Sequence, residues 1–278
     1  MKFFRWGAVG QERPGAFDAG GKKRDLTSLV QDFGHNTLHK LTGEIDLDRF
    51  PVVDETNGSI RFGPPISRPG KVLCAGLNYR AHVNEAGAKV PEEPVLFLKS
   101  PTSLSGANDD VDLPSWSNAL DWEVELCVVI ARRARNITTD QALDHVFGYA
   151  VGNDLSDREI QLNRGGQWTK GKSADGFCPL GPYLVTPDEV ENIQSLSLWT
   201  RVNGETVQRS STADMIFSVA EIIAYASNLM TLEEGDVIMT GTPEGCAMGR
   251  ANPPWLKRGD IVESGIDGLG DQSFRIVA

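Results

Sequence analysis

The stretch SNALDWEVELCVVIARR, residues 117–133, carries two glutamates two positions apart. In an extended strand Trp122, Val124, Leu126, Val128 and Ile130 share one face, and Glu123, Glu125, Cys127 and Val129 share the other. Two carboxylates therefore lie side by side on a strand that is apolar on both faces further along. Buried and unpaired, they would cost several kcal/mol or be forced to take up protons. A hard divalent cation relieves both. Mg²⁺ or Mn²⁺ takes oxygen ligands in octahedral geometry and keeps positions open for water or substrate. Asp154 is best placed to supply a third acid, because it stands where the apolar run FGYAVGND ends and a helical pattern begins. The plain alternative is an edge strand that holds Glu123 and Glu125 in solvent. The apolar continuation Cys-Val-Val-Ile weighs against that alternative without removing it.

His82 and Glu85 are spaced i, i+3, so one helical turn puts them on the same side. A carboxylate that accepts from one imidazole nitrogen fixes the tautomer and leaves the other nitrogen as a base. An exposed histidine with a surface partner fits the same spacing. Arg158 and Gln161 follow Asp154 by four and seven residues, on one helical face with it, and as isolated residues read as helix surface. Lys172, in KGKS, reads alone as a solvated loop lysine. The turn GTPEG after a buried strand offers backbone N–H groups and the Thr242 hydroxyl, the makings of an anion nest. His35 and His39 are four apart in a polar region with no acid beside them in sequence, which suggests a surface pair. ARRAR at 131–135 suggests a solvated loop face in an acidic protein.

These residues need a scaffold. Residues 1–27 read as short strands with a hairpin turn at Gly20–Gly21, and RFGPPISRPG marks a boundary. The expected division is a small β-rich N-terminal domain over 1–70 and a larger domain over 71–278. KVLCAGLNY, PVLFLK, DWEVELCVVIA and FGYAVGND read as strands, and YRAHVNEAGAKVPEEP as a short helix or loop. A helix is expected near 138–145 and helical spacing continues through LSDREIQLNR. Two strands are expected over 180–202, a hairpin turn at NGE 203–205, and two short strands in the tail. MIFSVAEIIAYASNLM is the clearest amphipathic helix, with Met215, Ile216, Val219, Ile222 and Ile223 as its core stripe. Strands dominate without the regular β–α alternation of a doubly wound sheet, so the class is mixed, mostly β.

The chain has 278 residues, a net charge of −11 and a pI near 4.9. That balance speaks against sequence-independent nucleic-acid binding and against an anionic membrane surface. No apolar run approaches the ~20 residues of a membrane-spanning helix. The first residues, MKFFRWGAVGQERPG, hold too short an apolar stretch for a signal peptide. Cys74, Cys127, Cys178 and Cys246 are scattered with no C-x-x-C spacing, as expected of reduced thiols in a cytoplasmic protein.

GLNYRAHVNE (76–85), DWEVEL (121–126), GYAVGNDLSDREIQ (148–161), KGKS (170–173) and GDVIMTGTPEG (235–245) occur in the order and spacing of the fumarylacetoacetate hydrolase family. The chain resembles that family over roughly residues 70–278, with the first 70 residues similar to a small accessory domain found in some members. RGGQWTKGKSADGFCPLGP resembles the branch of 2,4-diketo-3-deoxy-L-fuconate hydrolases and proteins named ureidoglycolate lyases. The resemblance implies a rolled, mostly β catalytic domain, a homodimer or higher homo-oligomer, and a small-molecule keto-acid substrate. It implies that Glu123, Glu125 and Asp154 hold Mg²⁺ or Mn²⁺, and that His82 with Glu85 activates the attacking water when a mobile lid orders. Lys172 would stabilise oxyanion charge, while Arg158, Gln161, Lys172 and Thr242 would bind substrate. The family commonly continues G-T-P-x-G with Val-Gly, where Cys246–Ala247 stand here. The reaction so implied is hydrolysis of a C–C bond in a 2,4-diketo acid, of acylpyruvate or diketo-deoxy sugar acid type. A metal-dependent lyase or decarboxylase on ureidoglycolate or oxaloacetate would use the same metal. A non-catalytic, metal-stabilised binding protein would lack catalytic groups, whereas this chain keeps His82, Glu85 and Lys172 together.

Overall fold

The strand Val124–Ile130 is central, and from Val124 onward its alternation is the one the sequence suggests. Trp122 and Glu123 precede the strand, and Trp122 enters a separate core with Leu120 and Phe177 rather than the face of Val124. The computed structural model describes residues 1–56 and 58–277. Val124, Leu126, Val128 and Ile130 enter one core with Val219, Ile222 and Ile223. Cys127 and Val129 enter a second core with Phe3, Phe33 and Cys74. Buried on both faces, this strand is no edge strand, and the plain alternative for Glu123 and Glu125 falls away. On one side it pairs antiparallel with Val146–Asn153, Leu126 opposite Val151. On the other it pairs antiparallel with Val237–Met239, which runs parallel to Val72–Gly76. Val72–Gly76 in turn pairs with Val95–Lys99, Val72 opposite Lys99. Acids and lysine are thereby carried to one end of neighbouring strands.

The first 70 residues, expected as an accessory domain, lay Lys2–Trp6, Arg13–Phe17 and Lys23–Asp25 onto the same sheet through Leu184–Val185. Phe3, Ala16, Leu26 and Phe33 share a core with Val72 and Cys127. A separate five-stranded sheet has the order Glu205–Ser211, Ser197–Val202, Ile261–Ile266, Gly270–Val277 and Val111–Asp112. Its first hairpin turns at Asn203 and Gly204, both at positive φ (51° and 82°), as the NGE motif suggests. Of the two strands expected over 180–202, Ser197–Val202 forms, while the first is reduced to Leu184–Val185 after Cys178–Leu180. The chain is mostly β, as expected.

The amphipathic helix is Val219–Leu229, shorter at its start than the periodicity suggests. Ser218 accepts from Glu221 N–H while the Glu221 carboxylate accepts from Ser218 N–H, a capping box that sets the first turn at Val219. Met215 and Ile216 stay extended instead: Met215 bridges Tyr79, and Ile216 N–H donates to Asn78 O at 2.7 Å. Asn78 also donates through its side chain to Phe217 O (3.0 Å) and Thr240 O (2.8 Å). These bonds anchor the turn from which the helix Arg80–Glu85 springs. The helix expected near 138–145 is one α-turn, Thr139–Ala142, continued by a 3₁₀ turn Leu143–His145. Arg135, from the basic cluster, donates to the Ser227 and Asn228 carbonyls at the end of Val219–Leu229. His39 is exposed, with Glu234 brought to 3.5 Å from its Nδ1 by the fold. Among the described residues no helix is long and apolar enough to cross a membrane.

Candidate active site

Glu123, Glu125 and Asp154 converge, each offering an oxygen within 4.8 Å of the others. Their exposures are 5%, 2% and 0%, so their charge must be answered from within the protein. Glu123 accepts from Arg158 Nη2 at 2.5 Å and from Lys172 Nζ at 2.8 Å. Lys172 Nζ donates also to Asp154 Oδ2 (2.7 Å) and Ser156 Oγ (2.7 Å). The other oxygen of Asp154 accepts from Lys99 Nζ at 2.6 Å, and Lys99 is itself 1% exposed. Burial works to raise the pKa of Glu123, but Arg158 and Lys172 outweigh it and hold the carboxyl well below the usual range. Burial likewise works against the charged form of Lys172, and Asp154 with Glu123 overcomes it, so Lys172 stays an ammonium.

Glu125 is the exception. Among the described residues its carboxylate has one hydrogen-bond partner, Gly241 N–H at 2.7 Å. Burial pushes its pKa well above the carboxylate range, and Asp154 and Glu123 push further in the same direction. A cation shared by the three acids would remove that deficit, and an all-oxygen donor set suits Mg²⁺ or Mn²⁺. Gly241 sits at φ +101°, where an added Cβ would meet Asn78 Cβ at 2.8 Å. Glycine is therefore what lets this backbone turn pass under Glu125.

Arg158 starts the helix Arg158–Asn163, whose N-cap Asp157 accepts from Ile160 N–H. Its guanidinium is engaged on three sides: Asp121 Oδ2 at 2.9 Å, Glu123, and Gln161 Oε1 at 2.9 Å. Asp121 also accepts from Ala247 N–H (2.7 Å) and Met248 N–H (3.1 Å), tying the loop after GTPEG to the acid site. Lys172 ends the short helix Thr169–Lys172. A Cβ on Gly171 would lie 2.6 Å from Asp157 O and Gln161 N, so KGKS needs its glycine for the two helices to pack.

His82 is buried on the helix Arg80–Glu85, its Nδ1 3.5 Å from Glu85 Oε2 without an aligned hydrogen bond. Glu85 accepts from Gly245 N–H with both oxygens, each at 3.1 Å. The GTPEG turn thus aims two N–H groups at the protein's own carboxylates, Gly241 at Glu125 and Gly245 at Glu85. Thr242 Oγ1 accepts from Gln208 Nε2 at 3.0 Å.

All nine residues singled out in sequence come to this one region, and eight of them line a cavity of about 140 Å³; Glu85 stands behind His82. Phe97, Leu162, Trp168 and Met248 close the same cavity with apolar surface. Phe97 and Trp168 meet edge to face at 5.3 Å. Sequence reasoning missed Lys99, Asp121, Gln208 and Trp168. Asp121 had a signal as the first acid of DWEVE, and Lys99 had one as a lysine closing an apolar strand. Gln208 had none, since it lies on a strand of the other sheet.

The family described as Fumarylacetoacetate (FAA) hydrolase C-terminal matches residues 71–277. A putative hydrolase of Burkholderia ambifaria is 47% identical over 278 residues, covering 98% of this chain and 97% of that one. A fumarylacetoacetate hydrolase from Exiguobacterium antarcticum superposes with a TM-score of 0.87 at 36% identity, covering 100% and 99% of the two chains. A maleylpyruvate hydrolase from Sphingobium sp. SYK-6 superposes with a TM-score of 0.79 at 26% identity, over 100% and 99%.

Proposed function

The chain belongs to the fumarylacetoacetate hydrolase family, and from that premise we propose that it hydrolyses a C–C bond in an acylpyruvate-type 2,4-diketo acid with Mg²⁺ or Mn²⁺. The observation that carries this reading is the buried triad Glu123, Glu125 and Asp154, one cation short at Glu125, beside His82. When bound there, the metal supplies Lewis-acid polarisation of the substrate's neighbouring oxygens.

The chain's own groups do the rest. His82 takes a proton from water, whose oxygen attacks the acyl carbonyl carbon. The bond to the adjoining CH₂ then breaks, and its electron pair leaves with the pyruvate fragment as an enolate, later protonated at carbon. Glu85 orients the imidazole, and is itself held by Gly245 N–H. Lys172, kept charged by Asp154 and Glu123, offers its positive charge to the developing oxyanion. Arg158, Gln161 and Thr242 face the cavity as partners for the carboxylate and carbonyl end. The apolar part of the lining, Phe97, Leu162, Trp168 and Met248, suits a short uncharged acyl group better than a polyhydroxylated tail. Likeness to a maleylpyruvate hydrolase supports a pyruvate-containing substrate.

The experiment is turnover of a panel of acylpyruvates in heavy-oxygen water, with metal and after chelation. Solvent oxygen should enter the new carboxylic acid, and chelation should stop the reaction. His82→Ala should lower kcat by ~10²–10⁴ while Mn²⁺ affinity by calorimetry holds. Products free of solvent oxygen, or carbon dioxide released from oxaloacetate at a higher rate, would move the assignment to a lyase or decarboxylase.

A further inference from the structure

Cys246 stands against the acid site and has no part in the proposed reaction. It is buried and free, and its Sγ has only weak neighbours, Gln208 Nε2 at 3.7 Å and Pro243 O at 3.8 Å. One ligand atom from each of His82, Glu123 and Cys246 lies within 4.8 Å of the other two. His82 Nδ1 is buried 3.5 Å from Glu85 Oε2 without an aligned hydrogen bond, so among the described residues no hydrogen bond pins the imidazole in place. Imidazole, carboxylate and thiolate form a donor set that zinc takes and magnesium does not.

We propose that His82, Glu123 and Cys246 form a second cation site, selective for Zn²⁺ or a comparably soft divalent ion, and that its filling inhibits the enzyme. Zinc bonds of about 2.0–2.3 Å place tetrahedral ligand atoms roughly 3.5 Å apart, so atoms within 4.8 Å of one another need to close by at most about 1.3 Å. His82 rides on a helix of six residues, and side-chain rotation there supplies such a shift. The thiol proton is released to solvent as the metal–sulfur bond forms. Arg158 and Lys172 each hold one oxygen of Glu123, so the cation would share that carboxylate with them. Glu123 belongs to both donor sets. Occupation of the soft site therefore removes His82 as a base and one oxygen ligand from the Mg²⁺ or Mn²⁺ position at once.

Co²⁺ is the spectroscopic probe, because a cobalt–thiolate bond gives a charge-transfer band that oxygen and nitrogen ligands do not. The metal-free protein should show that band on Co²⁺ addition, and Zn²⁺ should erase it. Cys246→Ser and Cys246→Ala should lack the band. Both variants should keep turnover with Mg²⁺, and Zn²⁺ inhibition should weaken by roughly 10–100-fold. A wild-type protein without the band overturns the site, as does equal Zn²⁺ sensitivity in the folded variants. If both variants fail to fold, the wild-type spectrum decides alone, since the other cysteines, Cys74, Cys127 and Cys178, sit in an apolar core. The spectrum is independent of substrate, so its outcome is separate from that of the C–C hydrolase assignment.

Discussion

The floor of the cavity and the arm above it are built in opposite ways. On the floor, Lys99, Arg158 and Lys172 meet Asp121, Glu123 and Asp154 through bonds of 2.5–2.9 Å, and none of these groups exceeds 6% side-chain exposure. On the arm, His82 and Glu85 belong to a helix of six residues and stand 3.5 Å apart without an aligned bond. The chain from Asn84 to Glu93 is largely exposed and has no fully buried residue. A network held by several buried, hydrogen-bonded charges resists displacement, whereas a segment with few apolar contacts opens at little cost. The contrast suits the proposed chemistry. A metal floor must keep its ligand positions fixed from one turnover to the next, and a base that closes over substrate must move.

The harshest way to break the floor is Asp154→Ala. Lys99 and Lys172 would both lose their shared carboxylate, and removing one partner of a buried pair costs about 3–5 kcal/mol. The expected result is loss of Mn²⁺ binding by calorimetry, loss of turnover, and a large drop in the denaturant midpoint. An active variant with native metal affinity would remove Asp154 from the triad.

Glu125→Gln divides the same floor by sign. Glu125 is the acid of the three that forms no ion pair among the described residues, and burial raises its folded pKa. The unfolded chain ionises this group first as pH rises past the ordinary glutamate range. The metal-free fold therefore loses stability with rising pH from that point up to the raised folded pKa. The amide keeps the Gly241 N–H bond without the charge. Metal binding should disappear, while the metal-free variant melts a few degrees above the metal-free wild type at neutral pH. Equal or lower melting would mean that Glu125 is answered by a group other than a metal.

The smallest expected effect is on the arm. Hydrogen exchange should slow across 82–94 on addition of a non-hydrolysable diketo-acid analogue, with Val124–Ile130 unchanged. Protection of 82–94 that is the same with and without analogue would show an arm as fixed as the floor.

Much of this architecture is legible in local pattern. Period-two spacing brings Glu123 and Glu125 to one side as the sequence suggests, although the regular strand begins only at Val124 and Trp122 leaves the alternation for another core. Residues i, i+3 on one turn bring His82 to Glu85, and five short motifs in fixed order carry the family. Periodicity misjudged the start of the long helix because Met215 and Ile216 fit its stripe. The Ser218–Glu221 box and the Asn78 bonds, not hydrophobic spacing, decide where it begins. What answers the buried acids was beyond local pattern altogether. Lys99 reaches Asp154 across 55 residues and Lys172 reaches Glu123 across 49, and Lys172 read alone looks like a solvated loop lysine. The sequence by itself determined which carboxylates would crowd one face, because that follows from backbone geometry. Only the tertiary structure decided which charges meet them and that Glu125 is left over, because pairing depends on distances between strands that no local repeat encodes.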